Sequence, residues 1–216
     1  MISKNLKKRL YTSFFLFLLI YVIFKISLIF VYSLIVIGVL SILEFLNITK
    51  KFISKKINFI LVNFFFISFI FFFLFTSLFF YSNLQSKMII FSLLLCCVAS
   101  DVGGFIFGKL LKGPKLTKIS PNKTVAGACG SLILSCMVLS ILFYFLSINL
   151  NLQTILVAMI TSISCQIGDL LFSYLKRKAK IKDTGNLLPG HGGILDRLDG
   201  ILLGIPLGIL GVLYLY

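Results

Sequence analysis

The 216-residue chain has six acidic residues, and five of them, Asp101, Asp169, Asp183, Asp196 and Asp199, lie from residue 101 onward. Oxygen donors of this kind suit a hard divalent cation, and Mg²⁺ typically takes one or two carboxylates together with substrate phosphates. Asp101 and Asp169 fall inside long apolar runs. An Asp at mid-membrane costs about 2.5 to 3.5 kcal/mol, so its presence marks a cavity or a partner. Asp101 stands eight residues before Lys109 and Asp169 seven before Lys176. At about 1.5 Å per residue, both carboxylates share one depth, about 10 to 12 Å from the basic ends of their helices. Asp196 and Asp199 stand at i and i+3 at the start of the last span, on one helical face near a helix N-terminus. The expected arrangement is convergence of these four aspartates on a cytoplasm-open pocket. The competing reading of the last pair is ordinary helix-start charge.

A polar loop over 176–199, KRKAKIKDTGNLLPGHGGILDRLD, holds the only His of the chain, His191. Gly190, Gly192 and Gly193 around it permit close backbone approach and positive φ, as at phosphate sites. The chain strongly prefers Lys, yet two of its three arginines, Arg177 and Arg197, sit in this loop, where a guanidinium fork matches phosphate geometry. A second loop, 109–124, ends in Ser120-Pro121-Asn122-Lys123-Thr124. Ser120 is expected as N-cap with Pro121 at the first helical position, and a terminus carrying Lys and Thr can also hold an anion. Gly104 and Gly108 form a GxxxG expected to pack helices. The five cysteines, Cys96, Cys97, Cys129, Cys136 and Cys165, lie in apolar stretches without CxxC pairs, and are expected to be small buried hydrophobes. Glu44 stands alone near a cytoplasmic helix end, with no chemistry assigned to it.

The elements that must position these residues are membrane helices. The chain is 59% hydrophobic and 12% charged, with a mean hydropathy of +1.10, outside the range of soluble domains. A net charge of +15 is what positive cytoplasmic loops produce, so nucleic acid is not needed to explain it. Apolar runs at 11–24, 26–46, 57–80, 88–108, 125–147, 152–175 and 198–216 predict an all-α, polytopic membrane bundle of about seven transmembrane helices. The basic start and first run are expected to form an uncleaved anchor, since no small-residue cleavage site follows. Alternating loops put nineteen cations on one side and only Lys25 and Lys87 on the other, which predicts a cytoplasmic N-terminus. Residues 1–86 read as scaffold, with the Phe-rich stretch 64–80 facing lipid or packing. Residues 87–216 read as the catalytic region, with loops 109–124 and 176–199.

From Ser173 to Asp199 the run S-Y-L-K-R, four residues, K-D-T-G, N-L-L-P-G-H-G-G, I-L-D-R-L-D resembles the signature of the phosphatidate cytidylyltransferases, also called CDP-diacylglycerol synthases. Gly168-Asp169-Leu170, the Asp101 helix with Gly108-Lys109, and Ser120-Pro121 with Lys123-Thr124 extend the resemblance over about residues 99–216. The chain departs from the family at Val125 and Ala126, where Trp and Glu are usual, at Phe172, where Glu is frequent, and at Gly200, where Ser is common. The resemblance implies transfer of a cytidylyl group from CTP to phosphatidate, giving CDP-diacylglycerol and pyrophosphate, with Mg²⁺ as cofactor. It implies Asp169, His191, Arg197 and Asp199 as catalytic groups. Metal or metal-water ligands would be Asp169, Asp196 and Asp199, then Asp101 and Asp183. Ser120, Lys123, Ser173, Lys176, Arg177, Lys182, Gly192 and Gly193 would bind substrate. It places the protein in a bacterial inner membrane with its active site toward the cytoplasm, and admits a homodimer.

Three other readings compete. A related CTP-using enzyme, such as a polyprenol or phytol kinase or an archaeol-type cytidylyltransferase, would differ in the group transferred or the lipid. An ion- or proton-coupled transporter would also carry intramembrane Asp, although the acids cluster near one face and no inverted repeat is present. A degenerate binding or assembly protein would fail to bind CTP with Mg²⁺.

Overall fold

The computed structural model describes residues 18, 21–81, 83–117, 120, 123–148, 150–185, 187 and 192–216. Its helices are α1 (Ser27–Thr49), α2 (Lys56–Phe80), α3 (Leu84–Leu111), α4 (Val125–Phe145), α5 (Leu152–Lys178), α6 (Leu195–Leu198) and α7 (Ile201–Leu215). Six segments are long and apolar enough to cross a bilayer, the last running from Leu195 to Leu215. The chain is a multi-pass, all-α membrane protein, as its apolar runs predict. Most of the expected first span lies outside the described residues. Residues 21–25 are helical, and Ile26 turns extended (φ −118°, ψ 106°) before α1, at the break expected beside Lys25.

The chain divides into two compact units, Met1–Leu74 with Leu175–Leu198, and Phe75–Tyr174 with Asp199–Tyr216. In the first, Phe45 of α1 stacks on Phe66 of α2 with ring centroids 3.7 Å apart. The buried Thr49 hydroxyl donates to Asn63 Oδ1 at 3.1 Å, while the Asn63 amide donates to Phe59 O at 2.7 Å. These two polar side chains are therefore satisfied within the membrane, where no water would serve them. The Phe-rich face divides as its helical period requires, with Phe66 and Phe73 buried and Phe64, Phe65 and Phe71 outward. The unit also contains the last turn of α5, whose Lys178 ammonium lies 5.1 Å from the Phe52 ring centroid just past α1, and which is closed by a left-handed Lys180 (φ 56°). Ile181 N donates to Lys176 O and Lys180 N to Arg177 O, the paired bonds of a Schellman ending.

In the second unit α3 and α4 approach closely. A Cβ on Gly103 would stand 2.6 Å from Gly130 O, and one on Gly104 would stand 2.8 Å from Ser131 Oγ. Ser131 Oγ donates to Ser100 O at 2.6 Å, Ser135 Oγ to Cys96 O at 3.2 Å, and Ser100 and Ser162 hydroxyls pair at 2.9 Å. Lipid tails are as apolar as Leu, so close backbone approach and interhelical hydrogen bonds drive such packing. The expected packing role of the glycine pair holds, with Gly108 facing Thr124 and Gly127.

Two expectations fail. Thr124, not Ser120, caps α4, because its Oγ1 accepts from Gly127 N at 3.1 Å, so the helix starts at Val125. Cys96, Cys97 and Cys165 are buried as expected, but Cys129 is exposed on α4 and Cys136 half-buried, because in a bilayer a thiol in an apolar run can equally face acyl chains.

Candidate functional site

In the second unit α3, α4, α5 and the 113–124 loop enclose a cavity of about 220 Å³, whose walls include Asp101, Lys123, Thr124, Ser131, Gln166 and Asp169. α3 carries Asp101 and ends with Lys112 in the left-handed region (φ 46°), after which Gly113-Pro114 cannot prolong it. The loop then doubles back, with Leu116 N donating to Lys123 O at 2.8 Å and Val125 N to Pro114 O at 3.0 Å. That pairing holds Lys123 at the cavity wall, where its ammonium forms an ion pair with Asp169 Oδ2. One turn along α5, Ser173 Oγ donates to Asp169 Oδ1 at 3.3 Å. Asp101 Oδ1 lies 3.9 Å from Cys165 Sγ, a weak donor, so among the described residues most of the carboxylate's acceptor capacity is left to the cavity.

Asp199 belongs to this unit as well. Its backbone oxygen packs against Gly168 where a Cβ would stand, beside Asp169 in sequence. Asp199 Oδ1 also accepts from Gly200 N at 3.0 Å. A two-residue turn at Asp199-Gly200 divides α6 from α7, and a side-chain bond of this local kind competes with the helical ladder.

The first unit holds a second charged cluster. Asp196 accepts from Lys176 Nζ at 2.9 Å, from Thr184 N at 2.7 Å and from Gly193 N at 3.0 Å. The Lys176 and Asp196 side chains are only 13% and 8% exposed. Gly192 has φ 85° and leaves no room for a Cβ, which would come 2.9 Å from Asp196 Oδ2, so glycine is required there on both counts. Glu44, buried on α1, accepts from Thr184 Oγ1 at 2.6 Å and from Ile194 N and Leu195 N at 2.9 Å each.

Of the residues singled out from sequence, Asp101, Asp169 and Lys123 meet at one cavity, with Ser173 bonded to Asp169 and Asp199 packed beside Gly168. Asp196, Lys176, Gly192 and Gly193 form the other cluster. Asp183, Arg177, Lys182 and Arg197 are exposed, and Ser120 accepts from Lys123 N in the loop. His191 lies outside the described residues. Among the described residues no three His, Cys, Asp or Glu side chains gather into a ready-made metal cluster. The cavity's anionic donors are all carboxylate oxygens, chemistry suited to a hard cation such as Mg²⁺. Phe172 is buried in the core and Ala126 lies against Gly113, so neither position supplies an acid. Sequence reasoning overlooked Glu44, Thr184 and Gln166. Glu44 could have been found, since it stands six residues before Lys50 as Asp101 stands eight before Lys109, and an acid at such a place meets the criterion that singled out Asp101.

A family model described as the cytidylyltransferase family matches residues 2–215. A phosphatidate cytidylyltransferase of Staphylococcus haemolyticus (strain JCSC1435) is 47% identical over 110 residues, covering 50% of this chain and 42% of that protein. One of Staphylococcus aureus (strain COL) is 44% identical with the same coverage. One of Mycobacterium leprae (strain TN) is 43% identical over 114 residues, covering 52% of this chain and 36% of that protein. The match thus spans less than half the length of these relatives.

Proposed function

Because the chain belongs to the cytidylyltransferase family, we propose that it transfers a cytidylyl group from CTP to phosphatidate, leaving CDP-diacylglycerol in the bilayer and releasing pyrophosphate. A phosphate oxygen of phosphatidate forms the new bond to the α-phosphorus of CTP. The bond from that phosphorus to the oxygen bridging to the β-phosphate breaks, and its electron pair leaves with pyrophosphate. The lipid brings its own nucleophile, so no Ser or Cys nucleophile is required, and the protein acts by positioning and charge neutralisation.

The observation that carries this reading is the cavity within the apolar bundle, lined by Asp101, Asp169 and Lys123. Lys123, beside Asp169, is poised to receive a phosphate oxygen, and Ser173 orients the Asp169 carboxylate. Asp101 and Asp169, with Asp199 in the same unit, would hold Mg²⁺, which supplies neutralisation of phosphate charge when bound. Lys176, Arg177, Lys182 and Arg197 supply cations for a triphosphate, Arg with a bidentate fork. His191 would hydrogen-bond or protonate a phosphate oxygen. The one-sided distribution of cations supports a cytoplasmic orientation of these loops, and the bacterial sources of the relatives support an inner-membrane location.

The test is purified protein with CTP, phosphatidate and Mg²⁺, the products identified by mass. Formation of CDP-diacylglycerol and pyrophosphate is expected. A lipid gaining only a phosphate, or no CTP-dependent product, would overturn the reading.

A further inference from the structure

Glu44 is 4% exposed, yet its partners lie far along the chain. It receives the Thr184 hydroxyl at 2.6 Å and the backbone N–H groups of Ile194 and Leu195 at 2.9 Å. Those two N–H groups open α6, where backbone donors have no partner within the helix, and an acid on α1 serves them. The fit is close on both strands of the segment. A Cβ on Gly193 would collide with the Glu44 carboxyl oxygens, and one on Gly185 would stand 2.9 Å from Glu44 Oε1.

The same hydroxyl touches a second carboxylate. Thr184 Oγ1 lies 3.0 Å from Asp196 Oδ2 and 2.6 Å from Glu44 Oε2. A hydroxyl has one proton to give, and the shorter contact directs it to Glu44, while Thr184 N serves Asp196 at 2.7 Å. Asp196 in turn takes the Lys176 ammonium at 2.9 Å. A continuous series of bonds therefore runs from α1 through Thr184 and Asp196 to Lys176, all within one unit.

Resting on the cytidylyl-transfer reading, we propose that Glu44 is a positioning residue. It clamps Thr184 at one strand of the segment and Ile194 and Leu195 at the other, and so sets the placement of the Lys176 and Arg197 cations that would receive CTP phosphates. It does not touch substrate itself. A misplacement of about 1 Å in such groups can cost about a hundredfold in rate, so the clamp matters to affinity as well as to folding.

The experiment uses the full chain in lipid nanodiscs, comparing wild type with Glu44→Ala, Glu44→Gln, Thr184→Val and Leu43→Ala. Glu44→Ala and Thr184→Val should raise the KM for CTP about tenfold with a smaller change in kcat. Glu44→Gln should fall between, since its amide oxygen still accepts from Ile194. Leu43, exposed on the neighbouring face of α1, serves as control, and its variant should match wild type. Hydrogen exchange should reveal lost protection at Ile194 and Leu195 in Glu44→Ala, with α3 and α4 amides unchanged. A merely structural role would reduce the amount of folded protein and leave the KM for CTP unaltered, and that result overturns the proposal. Should Glu44→Ala not fold, the near-isosteric Glu44→Gln and Thr184→Val decide by the same two readouts. An inactive wild type would overturn the functional reading alone. The exchange measurement would then decide the clamp, unchanged protection at Ile194 and Leu195 sinking it.

Discussion

The two units use the same residue types in opposite ways. Around Asp196 and Glu44 every carboxylate oxygen has a donor from the protein, Lys176, Thr184, Gly193, Ile194 or Leu195. Around Asp101 and Asp169 the donors among the described residues are fewer, one ion pair, one hydroxyl and a distant thiol, beside a cavity of about 220 Å³. A saturated cluster stabilises the fold, because removing one member leaves the others buried and unpaired. An unsaturated one stabilises little until a ligand fills it, and sites shaped for function are commonly of that kind. The difference lies in the count of donors, not in how acidic each region is.

The largest effect should come from the cavity. Asp169→Asn removes a charge opposite Lys123, and CDP-diacylglycerol formation should fall about 10²- to 10³-fold, the loss typical of a group acting on developing charge. The thermal midpoint should barely move, since the ion pair is partly exposed, with side-chain exposures of 26% and 30%, and such pairs contribute about 1 kcal/mol or less. Unfolding of the purified variant alongside turnover checks both halves of this expectation. If Asp169→Asn unfolded as readily as it lost activity, the contrast between the regions would collapse.

Asp196→Ala should behave the other way at the level of stability. It strands the Lys176 ammonium and the Thr184 and Gly193 N–H groups, and breaking a buried pair costs about 3 to 5 kcal/mol. The measurement is the thermal midpoint in detergent, where Asp196→Ala should fall well below Asp169→Asn. A smaller loss, about 1 to 3 kcal/mol, is expected for Gly103→Val, whose new side chain must displace Gly130 O. That substitution probes the α3–α4 seam behind the cavity, and an unchanged midpoint would mean that the seam has slack.

How much of this was legible beforehand depended on whether the deciding contact was local. The common depth of Asp101 and Asp169 followed from helix rise and flanking lysines alone, and both line one cavity. The start of α4 could not be read the same way. Ser120-Pro121 and Thr124 both satisfy the rules for a helix start, and the choice comes from the pairing of Leu116 with Lys123 across the loop. The division between α6 and α7 was half-readable, since Asp199-Gly200 joins a side chain that binds its neighbouring N–H to a weak helix former. The role of Thr184 was not readable at all, because its carboxyl partner Glu44 stands 140 residues away and nothing in the local sequence announces it.

The smallest effects concern the thiols, and they test the comparison where it is least protected. Cys129 is exposed on α4 and Cys165 buried on α5, although composition treats both alike. Cys129→Ser should leave activity unchanged and shift stability by less than about 0.5 kcal/mol, as for a side chain facing outward from a packed bundle. A membrane-permeant maleimide should therefore label Cys129 first and Cys136 more slowly, leaving Cys96, Cys97 and Cys165 intact, each of the last three being 0% exposed. Cys165 is the sensitive reporter, because its Sγ lies 3.9 Å from Oδ1 of Asp101, a residue that lines the cavity. Protection of Cys165 would mean that the unsaturated site is held by a rigid wall. Labelling of Cys165 at a rate near that of Cys129 would mean that the wall opens, and that the cavity is a fluctuating gap rather than a preorganised one.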